Sequence, residues 1–91
     1  MRKVVLNIIG PQLRRIRVRA GLTQDALAAQ CGVWGWDMSR ATLSKIEAQL
    51  RCVSDFELIA LADVLKVEAS DLLPTDTAEA ARLLGIGRKS S

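Results

Sequence analysis

The chain has 91 residues, 49% of them hydrophobic and only 3% aromatic, with a net charge of +3. This length suits one small domain, and an apolar fraction so high excludes a disordered chain. No apolar run reaches the roughly 20 residues that span a bilayer, and the chain contains no histidine, the commonest general base and metal ligand.

Residues 1–9 open the chain as an apolar arm, MRKVVLNII. The arm runs into GPQLRR without a small-residue cleavage site, so it reads as part of the protein rather than a signal peptide, and the protein is expected in the cytoplasm. GPQLRRIRVRAG reads as a first helix: Pro11 fits its first turn, Leu13, Ile16 and Ala20 form an apolar stripe, and Gly21 stops it. LTQDALAAQC reads as a second helix, with Thr23 as N-cap and Leu27, Ala28 and Cys31 facing inward. SRATLSKIEAQL, Ser39–Leu50, reads as a third: Ser39 caps it, Leu43 and Ile46 face the core, and Arg40, Ala41, Ser44 and Lys45 share the outer face. SDFELIALADVLKV carries the S-x-x-E capping box of Ser54 and Glu57. Its apolar repeat is Leu58, Leu61, Ala62 and Leu65. EASDLL reads as a short fifth helix delivering Leu72 and Leu73 to the core before Pro74. In the tail, 75–91, the spacing predicts a further helix over Thr77–Leu84, ended by Gly85, with RKSS disordered beyond it.

The charge is unevenly spread. Through Ser54 nine Lys and Arg face three Asp and Glu; from Asp55 onward four face seven. A basic half suits a polyanionic partner, although a solvated surface gives the same count. Cys31 and Cys52 are too few to close a zinc site, and are expected to be reduced packing residues. No metal or cofactor is expected. With no Gly-rich phosphate loop and no nucleophile with a base nearby, the chain does not read as an enzyme.

GLTQDALA, SRATLSKIE and ELIALADVLKVEASDLL, in that order, resemble the Cro and lambda-repressor type of helix-turn-helix domain (the xenobiotic-response-element type). The resemblance covers roughly residues 10–74. It implies an all-α five-helix bundle that binds operator DNA as a homodimer, and a transcriptional regulator, repressor in type, of phage or mobile-element character. An antitoxin-like or regulator-binding subunit on the same fold is the alternative. In this motif the second of the paired helices enters the major groove.

The resemblance makes Ser39–Leu50 the reader. Arg40 is its expected base contact, since a guanidinium pairs bidentately with guanine. Lys45 is placed to reach a base or phosphate, with Ser44 between them, and the methyl of Ala41 to meet a thymine methyl. Gln24 matches a phosphate-clamping glutamine, Ser39 and Thr42 offer hydroxyls to phosphate, and Gln49 and Arg51 match the loop that follows the reader. Simpler roles stand beside these: Ser39 as a cap alone, Arg40 and Lys45 as surface charge, and Arg14, Arg15 and Arg19 as a solvated face. Arg17 and Glu47 match a family pair that forms a partly buried salt bridge.

One departure stands out. Val33–Met38, VWGWDM, enlarges a connection that in this family is a short turn. Either the second helix runs on to Trp34, Gly35 stops it and Trp36 folds back onto the core, or a tryptophan is exposed for a partner or for DNA. Asp37 is expected to cap the reader. VVLNII and ARLLGI, both outside the family core, are the expected dimer contacts, VVLNII as a strand across a two-fold axis or packed on the fifth helix.

Overall fold

The computed structural model describes residues 5–74, and the expected helix over Thr77–Leu84 lies outside them. Four α-helices follow one another: α1 (Gly10–Arg19), α2 (Gln24–Trp34), α3 (Arg40–Glu47) and α4 (Asp55–Leu65). The expected fifth helix is a single 3₁₀ turn, Ala69–Leu72. The seven residues between Leu65, which ends α4, and Leu73 leave no room for the nucleus of a longer helix. Among the described residues there is no strand, and no helix is long and apolar enough to cross a membrane.

Local signals in the sequence account for the helix ends. The hydroxyls of Thr23, Ser39 and Ser54 accept from the backbone N–H three residues on, satisfying donors that a helix start leaves unpaired. Ser54 and Glu57 complete their capping box reciprocally. The start of α1 has no hydroxyl; there Asn7 Oδ1 accepts from the N–H groups of Ile9 and Gly10, at 3.1 and 2.8 Å. Asp37 caps nothing: it is exposed, and Ser39 alone takes that role at α3.

Leu13, Leu27, Leu43, Ile46, Leu61, Leu72 and Cys31 are fully buried and knit all five elements together. α3 packs mainly on α1 and α2, while α4 packs on α2 and the 3₁₀ turn. The stripe expected on α1 changes at one place: Ala20 is exposed and Arg17 is buried, because the helix ends at Arg19 and its last inward position faces a carboxylate. Leu73 also departs from expectation. It stays 37% exposed because the 3₁₀ turn points only Leu72 inward. Cys31 is a packing cysteine, whereas Cys52 is exposed in the connection before α4. Burial raises the Cys31 thiol pKa.

Among the described residues the N-terminal segment, from Val5, pairs with no strand of its own chain. Ile9 is buried, Ile8 packs against the core, and Leu6 N–H donates to the carbonyl of Gln49 at 3.0 Å. Gly10 meets the end of α3 so closely that an added Cβ would lie 2.6 and 2.7 Å from the carbonyls of Ile46 and Glu47. Only glycine allows that approach of α1 to α3.

Candidate nucleic-acid interface

Helix α3 has eight residues, about 12 Å of rise, and its two faces differ sharply. Leu43, Ile46 and Glu47 are buried. Arg40, Ala41, Ser44 and Lys45 are exposed. At 100° per residue these four fall within an arc of about 140°. Among the described residues neither Arg40 nor Lys45 takes part in an ion pair. The outer face therefore carries two free cations, a hydroxyl and a methyl, on a helix whose inner face is sealed.

A polar lock holds that inner face. Arg17 Nε donates to Glu47 Oε2 at 2.6 Å and Nη2 donates to Oε1 at 3.1 Å, a bidentate pair with both side chains under one-tenth exposed. Arg17 Nη1 also reaches the carbonyl of Leu22, at 2.7 Å. The Glu47 hydrogen bond holds the Arg17 pKa above its ordinary value, against the opposing pull of burial. Gln24 Nε2 donates to Glu47 Oε1 at 3.0 Å, so the first residue of α2 is a third member of the lock.

Polar partners within the chain already occupy several residues expected at DNA. Ser39 Oγ accepts from Thr42 N–H and donates to Thr42 Oγ1, each at 3.1 Å. Gln49 has φ +66° and donates its amide to the carbonyl of Asn7 at 3.0 Å. Arg51 forms a bidentate pair with Glu57, at 3.0 and 2.9 Å. Arg51, as the strongest influence, holds the Glu57 carboxyl below its usual range.

Two residues assigned no part by sequence reasoning enter the site. Arg14, expected on a solvated face, lines a shallow cleft of about 500 Å³ with Arg17, Thr23, Gln24, Asp25 and Arg40. The signal was its spacing: Arg14 lies three residues before Arg17 and so shares that face of α1. The Asn7 side chain makes four hydrogen bonds, two of them from Nδ2 to the carbonyls of Ile46 and Arg51, at 3.0 and 2.9 Å. Nothing local in an apolar arm announces that role.

The enlarged connection is resolved by α2 running on to Trp34. Gly35 (φ +120°) ends it, and the Trp36 N–H returns to the carbonyl of Cys31 at 2.8 Å. Trp36 is half-buried against the core, and Met38, at 6% exposure, fills it. Trp34 stays half-exposed, its indole N–H donating to Asp63 on α4.

This arrangement is found in known proteins. A helix-turn-helix family profile matches residues 13–72. Among solved structures, the restriction-modification controller protein C.AhdI from Aeromonas hydrophila is 31% identical, with a TM-score of 0.65 over 75% of this chain and 96% of that one. The DNA-binding domain of BldD is 27% identical, with a TM-score of 0.66 over 81% and 100% of the two chains. The hypothetical transcription factor NHTF from Neisseria, at 23% identity and a TM-score of 0.66 over 88% and 99%, shares the fold. No curated protein matches the chain. The chain belongs to the Cro and lambda-repressor-like helix-turn-helix family of DNA-binding transcription regulators.

Proposed function

We propose that this protein is a sequence-specific regulator that binds a palindromic operator in double-stranded DNA as a homodimer and acts as a repressor. One observation carries the reading: α3 is locked to the bundle by Leu43, Ile46 and Glu47, yet presents Arg40, Ala41, Ser44 and Lys45 uncovered. A helix so mounted enters the major groove without rearranging the bundle. Arg40 reads a guanine edge, Ala41 a thymine methyl, and Lys45 a base or phosphate one turn on. Ser44 lines the same face. Gln24, at the N-terminus of α2, sits where backbone N–H groups and the helix dipole attract phosphate, with Arg14 and Arg40 along the same cleft. Ser39 and Thr42 add hydroxyls at the entering end; Gln49 and Arg51 border the leaving end. Operator occupancy alone blocks a promoter, so repression asks nothing further of the described residues.

The test is selection of duplexes from a random pool, repeated with Arg40→Ala. The wild type is expected to enrich a two-fold symmetric sequence, with an affinity that falls steeply as salt rises. Arg40→Ala is expected to lose about 1–3 kcal/mol and its preference at one G·C pair. An unenriched pool, or an Arg40→Ala variant with unchanged selectivity, refutes the reading.

A further inference from the structure

A groove of about 460 Å³ opens where the N-terminal segment, the start of α4 and the end of the 3₁₀ turn meet. Val5, Ile8, Val53, Leu58 and Leu73 wall it with apolar side chains, and all five keep part of their surface exposed. Leu6, which also lines it, is 43% exposed. The polar side chains on the wall are already engaged. Asn7 makes its four hydrogen bonds within the chain, and the Ser54 hydroxyl caps α4. A small polar ligand is oriented by free polar groups that converge on it, and Asn7 and Ser54 have none to offer. The groove therefore fits an apolar peptide segment better than a small polar molecule. Asp55 is the charged residue among those that line it.

We propose that this groove is the docking site of the chain's own C-terminal segment, with Leu83, Leu84 and Ile86 seated in it. The place where the described chain ends carries the argument. Leu73 lines the groove, and the described residues end one position later, at Pro74. Residues 75–91 follow, and their large apolar side chains are Leu83, Leu84 and Ile86. Leu83 lies ten residues beyond Leu73, a reach of roughly 33 Å if extended and roughly 15 Å if helical. Either reach lets the segment turn back onto a groove that Leu73 itself lines. A tether so short holds the segment at an effective concentration of about millimolar, so modest apolar contact suffices to dock it. The charges agree. Arg82 directly precedes the apolar residues and Arg88 and Lys89 follow them, whereas the groove carries Asp55. Opposite charges beside an apolar contact favour this pairing over its alternatives. Docking also bears on the reader. Leu6 and Asn7 line the groove, and the same two residues bond to the carbonyls of Gln49, Ile46 and Arg51 at the end of α3. The seated segment thus backs the arm that steadies the reader. This places ARLLGI within its own chain, where the sequence alone suggested a dimer contact.

The test is nuclear magnetic resonance of the full chain carrying a nitroxide on Cys52. That thiol is exposed and adjoins Val53 of the groove wall, whereas Cys31 is buried and escapes labelling. The amide signals of Leu83, Leu84 and Ile86 are expected to lose at least half of their intensity relative to the reduced label. Leu83→Asp combined with Leu84→Asp is expected to restore them, because carboxylates resist transfer into an apolar groove. The signals of the buried Leu27 and Leu43 should not move in that variant, which separates undocking from unfolding. A mixture of isotope-labelled chain without nitroxide and unlabelled chain with it is expected to show no loss. Full intensity at Leu83, Leu84 and Ile86 in the spin-labelled chain overturns the proposal. A loss that survives the double substitution overturns it too, since nearness along the tether alone would then explain the effect. A comparable loss in the mixture also overturns it, and hands the groove to the C-terminal segment of a second copy.

Discussion

At its C-terminal end α3 is gripped by polar groups from three other parts of the chain. Arg17 and Gln24 take the Glu47 carboxylate, Asn7 takes the Ile46 carbonyl, and Gly10 lets α1 press against the last turn. At its N-terminal end α3 has only the Ser39 cap and, beneath it, the apolar side chain of Met38. The lightly held end carries Arg40. Directional bonds set the angle of the helix at one end. Packing alone supports it at the other, which leaves the reading side chains clear of competing partners.

Breaking the gripped end should have the largest effect. Glu47→Ala strands a buried guanidinium, and a loss of about 3–5 kcal/mol is expected in urea unfolding. Duplex affinity should fall with it, because the reader loses its angle; unchanged stability and affinity would show that the lock is idle. Met38→Ala tests the opposite end and should cost about 2–5 kcal/mol through the cavity it leaves. Hydrogen exchange should then accelerate at Arg40–Leu43 before it does at Ile46 and Glu47. Uniform acceleration along α3 would erase the contrast between its ends. Ser39→Ala removes the cap alone, and a loss of about 1 kcal/mol by thermal melting is expected. Ser39→Asp should recover most of it, as aspartate is an equally good cap.

The smallest expected effect sharpens the comparison from outside α3. Arg51 and Glu57 hold the connection that leaves the reader, and Arg51 is one-third exposed, so solvent weakens the pair. Because the Glu57 carboxyl is held low in the folded state, its contribution is fully present above the ordinary glutamate value of about 4.3. It fades as pH drops through the lower folded value. Glu57→Gln should therefore lower the urea midpoint slightly near neutrality, and the gap from wild type should close in acid. A gap that stays constant with pH would assign the effect to something other than this charge.

Much of the fold could be read directly from the chain. The caps at Thr23, Ser39 and Ser54 and the inward Leu27, Leu43, Ile46 and Leu61 follow from local chemistry and helical spacing, and all stand where expected. Less of the site could be read. The outward Arg40, Ala41, Ser44 and Lys45 follow from the same spacing. The engagement of Gln49 by Asn7, and of Arg51 by Glu57, does not, because a long polar side chain chooses among partners that only folding brings near. The docking of the N-terminal segment could not be read for a similar reason: Asn7 finds carbonyls nearly forty or more residues away.

The chain order alone thus decides where helices begin and which of their faces are oily, since hydroxyl caps and a 3.6-residue period act within one or two turns. Three-dimensional packing decides the rest. It buries Arg17 against Glu47 and stops the fifth element at one 3₁₀ turn. It converts the VWGWDM insertion into a longer α2, a core plug at Met38 and a tryptophan held on α4. Each of these depends on contacts between residues distant in sequence, whose geometry exists only once the helices have docked.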